Sequence, residues 1–213
     1  MLGIDDISSL KRYKTILDCP SGASSFVAEA ANKYGVQAAG CDPLFDNDVN
    51  ILAKRGQEDI EYVMQKVALT PHLYNWHFYS SINELRDYRK LALRQFIADY
   101  PLGTIKGRYI KAELPKLPFE DKSFELVLSG HFLFTYSHKF DFEFILSSIL
   151  ELFRVSSREV RIYPLQKSSL QPYEHMEDLL YAFRKRGIKY YFVTVSFEFQ
   201  RGSNKMLYLT HSD

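Results

Sequence analysis

The run Asp18-Cys19-Pro20-Ser21-Gly22-Ala23-Ser24 sets an acid directly before a series of small residues. Where such a run joins a strand to a helix, the sharp turn exposes backbone N–H groups and a helix N-terminus to a polar or anionic ligand. A tight turn filled by small residues is the plainer reading of the same run. Asp42 adds to the ligand reading, because it stands 24 residues after Asp18 at the end of the next apolar run. A carboxylate there can accept hydrogen bonds from ribose hydroxyls, and a small-residue turn followed by an acid about 20 residues on is the general nucleoside-binding arrangement. His131 offers a different chemistry. Neutral imidazole suits proton removal near pH 7, although a histidine that only walls a ligand or packs is an equal reading. Trp76, His77, Tyr79 and Tyr136 offer rings to a substrate or to a cation, or else core for the elements that carry them.

These residues need a frame. Apolar runs at 15–18, 36–41, 108–112, 124–128 and 159–163 alternate with helical patterns, which predicts a mostly parallel sheet with helices on both faces. The helical stretches are 25–34, closed by Gly35, then 141–153 with a strong apolar face, then 172–186, ended by Gly187. The chain finishes in two β-rich runs, 190–199 and 205–210, joined by Gln200-Arg201-Gly202-Ser203-Asn204. A connection that short predicts an antiparallel hairpin. Between Pro43 and Arg108 lies a segment far longer than a βαβ crossover needs. It reads as two helices, 57–68 and 81–100, around the aromatic stretch His72-Leu73-Tyr74-Asn75-Trp76-His77-Phe78-Tyr79. The second opens with a capping box, Ser81 and Glu84. Insertions of this length are usually lids or binding elements, so 46–105 is expected to be a lid. The whole is expected to be one α/β domain, 1–213, with a doubly wound seven-stranded sheet whose last strand is antiparallel.

Here the sequence resembles a known family. Asp18-Cys19-Pro20-Ser21-Gly22-Ala23-Ser24 is similar to the D-x-G-x-G-x-G turn of class I S-adenosylmethionine-dependent methyltransferases. The stretch from Glu113 through Leu117-Pro118-Phe119, Asp121, Ser123-Phe124-Glu125, Val127 and Ser129 resembles their D-x-x-x-LPF-x-D-x-SFD-x-V-x-S segment. Glu151-Leu152-Phe153-Arg154-Val155 resembles the E-x-x-RV that closes the following helix, and the terminal hairpin fits the family's reversed last strand. The resemblance covers nearly the whole chain apart from the insertion. It implies S-adenosyl-L-methionine as cofactor, with Asp18, Pro20, Ser21, Gly22 and Ala23 wrapping its methionine part. Asp42 would hold the ribose, with Pro43 beside the adenine. Glu113 would face the adenine amino group, with a backbone contact from Leu114. Ser129, Gly130 and His131 would lie near the sulfonium and its methyl group. Pro20 and Ser24 replace the first and third glycines of the pattern, which removes an N–H donor and adds a side chain where backbone should approach closely.

The reaction so implied is methyl transfer to a small-molecule acceptor. His131 is the candidate catalytic residue, and Trp76, Tyr79 and Tyr136 are the candidate substrate wall. No Asn-Pro-Pro-Tyr or Asp-Pro-Pro-Tyr stretch follows the fourth strand, where nucleic-acid amino methyltransferases carry one. Net charge of +1, from 27 basic and 26 acidic residues, also argues against nucleic acid as partner. The composition, 46% hydrophobic with 25% charged, supports a large core. Cys19 and Cys41 make neither a disulfide framework nor a zinc site, so no metal is expected. No apolar run is long enough for a membrane span, and the start holds no leader-like core. A reduced, cytoplasmic protein is the expectation. Two other readings stay open: a cofactor-binding protein without catalysis, whose inserted helices bind a partner, and a dinucleotide oxidoreductase. The LPF segment and the hairpin speak against the second.

Overall fold

The sheet is organised around a central strand of three residues. β1 (Ile16–Asp18) is buried along its whole length, with β2 (Ala38–Asp42) on one side and β4 (Phe124–Gly130) on the other, both parallel to it. A strand covered on both faces reads as an unbroken apolar run, and Ile16 and Leu17 are fully buried. With β3 (Tyr109–Lys111), β5 (Ser156–Tyr163), β6 (Lys189–Thr194) and β7 (Lys205–Thr210), the order is β3-β2-β1-β4-β5-β7-β6. β7 runs antiparallel to both neighbours. The computed structural model describes residues 7–211; residues 1–6, read above for a leader segment, and 212–213 lie outside the described residues.

Alternation along the strands splits the core in two. Leu17, Val127 and Val160 face α4 (Phe142–Val155) and α5 (Met176–Lys185), through Ile145, Ile149, Leu179 and Phe183. Ile16, Leu126 and Leu128 face the other side, where Val27 of α1 (Phe26–Tyr34) and Phe96 of α3 (Ile82–Ile105) cover them. Strand order reverses between β1 and β4, so their carboxyl ends open a crevice at the switch point.

The insertion follows β2 as expected, but its helices are longer than periodicity suggests. α2 spans Val49–Leu69, beginning at Asp48, whose carboxylate accepts from the Asn50 N–H at 2.8 Å. The expected helix starts at 57, yet Gly56 before it lies inside α2. A Cβ there would stand 2.6 Å from Leu93 Cδ1, so Gly56 lies at the contact between α2 and α3, where a side chain would make Leu93 shift. α3 runs through Pro101 to Ile105, past the expected end at 100. Asp99 roots it, accepting from Asn32 Nδ2 at 2.7 Å, Arg108 Nη2 at 2.5 Å and the Tyr109 hydroxyl at 2.9 Å. Burial raises the Asp99 carboxyl, but these donors outweigh it and hold the group below its usual range.

The closing hairpin also differs in detail. β6 ends at Thr194, so 195–204 is a looser connection than the tight turn expected from sequence. The reason is aromatic: Phe197 and Phe199 leave the exposed edge strand to pack among Tyr74, Trp76 and Tyr79 of the insertion. Among the described residues, no helix is long and apolar enough to cross a membrane.

Candidate active site

Three strands set three carboxylates along the crevice. Asp18 ends β1, Asp42 ends β2, and Glu113 stands two residues beyond Lys111, which pairs with Asp42 in register. Asp18 is 7% exposed and accepts from the Ser21 hydroxyl at 3.1 Å. Burial pushes its carboxyl up to about 7, against the Ser21 hydrogen bond and with help from the Asp42 charge. Asp42 is raised less far. Burial lifts it, while the Leu44 and Gly22 N–H groups and the nearby Arg55 of α2 pull it back. Those N–H groups reach Oδ1 and Oδ2 at 3.0 Å each, which leaves lone pairs on both oxygens for further donors. Glu113 and Pro43 are exposed, and Leu114 is buried.

The turn is held from behind. The Ser21 N–H donates to the Cys41 carbonyl at 2.9 Å, the Gly22 N–H is engaged by Asp42, and Pro20 has none. The open N–H cradle suggested by the sequence is therefore reduced to the residues after Gly22, with Ala23 exposed. Gly22 has φ +53, the left-handed conformation that favours glycine, and this is what turns the chain back onto Asp42. Cys19 and Cys41 lie side by side in the core beneath, and their mutual hydrogen bond and burial push the Cys19 thiol up. That is the opposite of an activated nucleophile.

β4 extends two residues further than its apolar run, so Ser129 and Gly130 belong to the strand. Ser129 is 1% exposed, and its hydroxyl has no partner among the described residues. His131 follows with φ +54, a conformation uncommon outside glycine and concentrated at functional sites. Its N–H donates to the Tyr163 carbonyl at 2.6 Å, and its ring meets Tyr163 edge-on at 5.3 Å. Burial, and then the Arg89 charge, lower the imidazole to about 4. The side chain is nevertheless solvent-exposed. A ring surrounded by protein that still meets water lines a hollow.

Over the hollow lies the insertion. It leaves the sheet at β2, and its tip hydrogen-bonds to the β6–β7 connection on the far side, so it crosses above β1, β4 and β5. The Asn75 N–H donates to the Phe199 carbonyl at 2.7 Å and the Arg201 N–H to the Leu73 carbonyl at 3.0 Å. Asn75 Nδ2 adds 3.0 Å to the Glu198 carbonyl, and Arg201 Nε adds 2.9 Å to that of His72. Trp76 and Tyr79 set their ring edges against Phe199 at 5.4 and 5.0 Å, so both take part in the insertion's own packing. Tyr136 is 41% exposed, near Phe132 and Lys139. Tyr74, Tyr79 and Tyr136 all lie close enough to Arg89 to favour its charge, while burial lowers it.

No family model matches the chain. Uncharacterized protein MJ0045 of Methanocaldococcus jannaschii is 30% identical over 193 residues, covering 90% of this chain and 83% of its own length. The chain belongs to the family of that protein. Among solved structures, an O-methyltransferase family protein from Burkholderia thailandensis superposes over 100% of this chain with TM-score 0.52 and 12% identity. The chain spans 54%, about half, of that protein's length. The magnesium protoporphyrin IX methyltransferase of Synechocystis PCC 6803, solved with bound SAH, matches 97% of this chain and 80% of its own, with TM-score 0.50 and 10% identity. The fold is thus that of class I S-adenosylmethionine-dependent methyltransferases.

Within this frame the structure gathers Asp18, Ser21, Gly22, Asp42, Glu113, Ser129 and His131 along one sheet edge. It sets the other histidines apart. His211 stacks on Phe153 at 3.9 Å and contacts Ser156, at the opposite end of β5. His175 is exposed at the start of α5, paired with Asp178. Sequence reasoning passed over Arg89 and Tyr163. Arg89 carried a signal: it occupies the slot between Leu85 and Leu93 in the apolar stripe of α3. Tyr163 carried none, since it reads as the last residue of a buried strand.

Proposed function

We propose that this protein transfers a methyl group from S-adenosylmethionine to a small-molecule acceptor. The observation that carries the reading is the match between the edge acids and the cofactor's donors. S-adenosylmethionine presents an ammonium, two ribose hydroxyls and an adenine amino group, all of which donate. The strand ends present Asp18, Asp42 and Glu113 in that order, all of which accept. Asp18 with the turn residues Pro20 to Ala23 would hold the methionine part, and Asp42 the ribose. Pro43 and Leu114 would border the adenine that Glu113 faces. The unpartnered Ser129 hydroxyl and Gly130 would lie beneath the sulfur. The residues present fit the group.

The cofactor, when bound, supplies a methyl group on a positive sulfur, and the chain supplies position and exclusion of water. The roof formed by α2, α3 and the β6–β7 connection would limit water at the edge once the cofactor and acceptor fill it. His131, uncharged above about pH 5 because its pKa lies near 4, accepts the acceptor's proton at a ring nitrogen or walls the reacting group. Trp76 and Tyr79 hold the roof's shape, and Tyr136 borders the acceptor space.

Calorimetry with S-adenosylhomocysteine tests the first half of this reading, and turnover on pools of small acids, amines and phenols tests the second. A second reading, cofactor binding without catalysis and with the insertion as partner surface, is favoured by the engaged N–H groups of Ser21 and Gly22. S-adenosylhomocysteine binding with no turnover on any pool would select it.

A further inference from the structure

The two edges of the sheet are finished differently. β3 is 3 residues long and is covered by α3, where the Tyr109 hydroxyl donates to Asp99 at 2.9 Å and its ring meets Phe96 at 5.4 Å. β6 is 6 residues long, and no strand pairs with its outer side among the described residues. Edges that must stay single are blunted by charge, proline, a bulge or brevity. β6 carries one lysine, at its first position, and its register with β7 is unbroken. Tyr191, Phe192 and Val193 are all exposed on it.

The ladder identifies the open backbone groups. The Val195 N–H donates to the Asn204 carbonyl at 2.9 Å, one step past the Thr194–Lys205 pair. Alternate residues of an antiparallel strand turn their N–H and C=O to the same side. Val193 and Tyr191 are therefore turned to β7, and Thr194, Phe192 and Tyr190 to the open edge. A second β6 running antiparallel, with a two-fold axis at Phe192, pairs every one of these. Phe192 exchanges both bonds with its own copy, and Tyr190 exchanges both with Thr194 of the second chain. Tyr191 then stands opposite Val193, an aromatic against a β-branched residue, and Lys189 stands opposite the neutral Val195. An axis at Tyr191 would instead set Thr194 opposite Ile188, whose N–H is already given to Phe183.

The helix beside this edge carries matching charge. α5 opens with Glu177 and Asp178 and closes with Arg184 and Lys185. Arg184 Nη1 donates to the Tyr190 hydroxyl at 2.8 Å, which turns that side of the helix towards β6. Glu177 and Tyr181 share this side with Arg184 at helical spacing, and all are exposed. The same axis sets two α5 helices antiparallel, so Glu177 of each faces Arg184 of the other and Tyr181 faces its copy. A two-fold contact requires such self-complementarity. An unrelated extended peptide would gain the backbone bonds alone.

We propose that β6 and α5 form the interface of a two-fold dimer of this chain, in which the sheets of the two copies join at β6. Sedimentation across about 1–100 μM reads the association directly, and a dimer is the expected species. Phe192→Lys brings two charges together at the axis and should weaken the dimer about 100-fold, with circular dichroism unchanged. Glu177→Arg and Arg184→Glu should each weaken it about tenfold. Their combination should return it to within about threefold of wild type, which a fold defect would not do. Under mild oxidation Phe192→Cys should give a covalent dimer, because a hydrogen-bonded pair sets its Cα atoms about 5.5 Å apart. Thr194→Cys should not, since its copy lies about four residues, ~13 Å, along the strand. Cys19 and Cys41 are buried and stay out of that reaction.

A monomer across the whole range overturns the proposal and leaves the edge to a different partner. A dimer that keeps its affinity in Phe192→Lys also overturns it, because the interface then lies elsewhere. Cross-linking of Thr194→Cys as readily as Phe192→Cys overturns the pairing at Phe192. Single charge variants that weaken the dimer without rescue in the combination overturn the α5 contact. The methyltransferase reading depends on none of these outcomes.

Discussion

The floor and the roof of the hollow are built on different principles. The floor is the ends of β1, β2, β3 and β4, where the acids are fixed by the strands that carry them and by hydrogen bonds spanning no more than 20 positions. Ser21 bonds to Asp18, Gly22 to Asp42, and Leu44 to Asp42. The roof is joined by contacts between residues more than a hundred positions apart, Leu73 to Arg201 and Asn75 to Phe199. The floor is acidic and offers acceptors. The roof is aromatic and offers a cation. A donor-rich cofactor suits the first and an aromatic-walled acceptor space the second, so recognition of what is common to the fold and of what is particular to this chain fall on opposite sides of one space.

The strongest test of this division is Asp42→Ala. A charge-assisted hydrogen bond is worth about 1.5–3 kcal/mol, and two ribose bonds would be lost together with the anchors of Gly22 and Leu44. At 1.4 kcal/mol per tenfold, affinity for S-adenosylhomocysteine should fall by about 100-fold or more in calorimetry. A dissociation constant within threefold of wild type would remove the cofactor from the floor.

His131 stands where the two regions meet, and its substitution should separate rate from binding. A general base is worth typically about 10²–10⁴-fold. Once an acceptor is in hand, His131→Ala is expected to lose at least tenfold in turnover, with cofactor affinity within threefold. Asparagine tolerates positive φ better than alanine, so His131→Asn controls for the backbone at φ +54. Because the imidazole titrates near 4, turnover should show no loss from its protonation between pH 5.5 and 8. Turnover equal to wild type with weakened cofactor binding would make it a wall residue.

The two regions were not equally legible in the sequence. Asp18, Gly22 and Asp42 announce themselves because a strand end, a positive-φ turn and a following acid are tied to one another by local geometry, and the sheet order follows from the alternation of elements. The roof depends on long-range pairing, and there local signals mislead. The helix expected from 57 begins earlier, with Gly56 inside α2 where it touches α3, and 195–199 has strand propensity but leaves the edge because Phe197 and Phe199 find partners in the insertion. Arg89 was visible only as a charge in an apolar stripe, and the structure leaves it exposed to solvent. Trp76 and Tyr79 were read either as a substrate wall or as core of the insertion, and their packing on Phe199 could not be foreseen without the hairpin's true course.

A third prediction uses pH to isolate one floor residue. The Asp18 carboxyl titrates near 7 in the folded protein, and a cofactor ammonium needs it ionised. Affinity for S-adenosylhomocysteine should rise with pH and level off above 7, being about tenfold weaker at pH 6 than at pH 8, since each unit below the pKa costs about tenfold in the ionised fraction. Stability runs the other way. An ordinary carboxyl near 4 is raised on folding, so the native state holds the proton more tightly than the unfolded chain. The associated stability is full below about pH 4 and is lost as pH climbs to about 7. Asp18→Asn should therefore be more stable than wild type at pH 8, by up to about 4 kcal/mol for a shift of roughly three units, while binding cofactor poorly at every pH. A flat affinity profile would place the ammonium elsewhere.

The smallest effect concerns how the roof is held. If the insertion admits ligands, it must open at its tip and not at its root, because α3 is anchored to α1 and β3 through Asp99, whereas the tip is held by four hydrogen bonds between two loops. Local opening draws on the least stable parts of a structure. Amide exchange should therefore be faster for Asn75 and Arg201, whose N–H groups make the strap, than for the central strands, and should slow when S-adenosylhomocysteine is added. Asn75→Ala removes the side-chain bond to the Glu198 carbonyl and leaves the backbone bond to Phe199 in place. At a net value of about 1 kcal/mol for one such bond, strap exchange should quicken about fivefold, with no change at Ile16, Leu17 or Val127. Protection of the strap equal to that of β1 and β4, unmoved by ligand or by Asn75→Ala, would make the roof as rigid as the floor. Ligands would then have to enter beside Tyr136, on the open flank of the hollow.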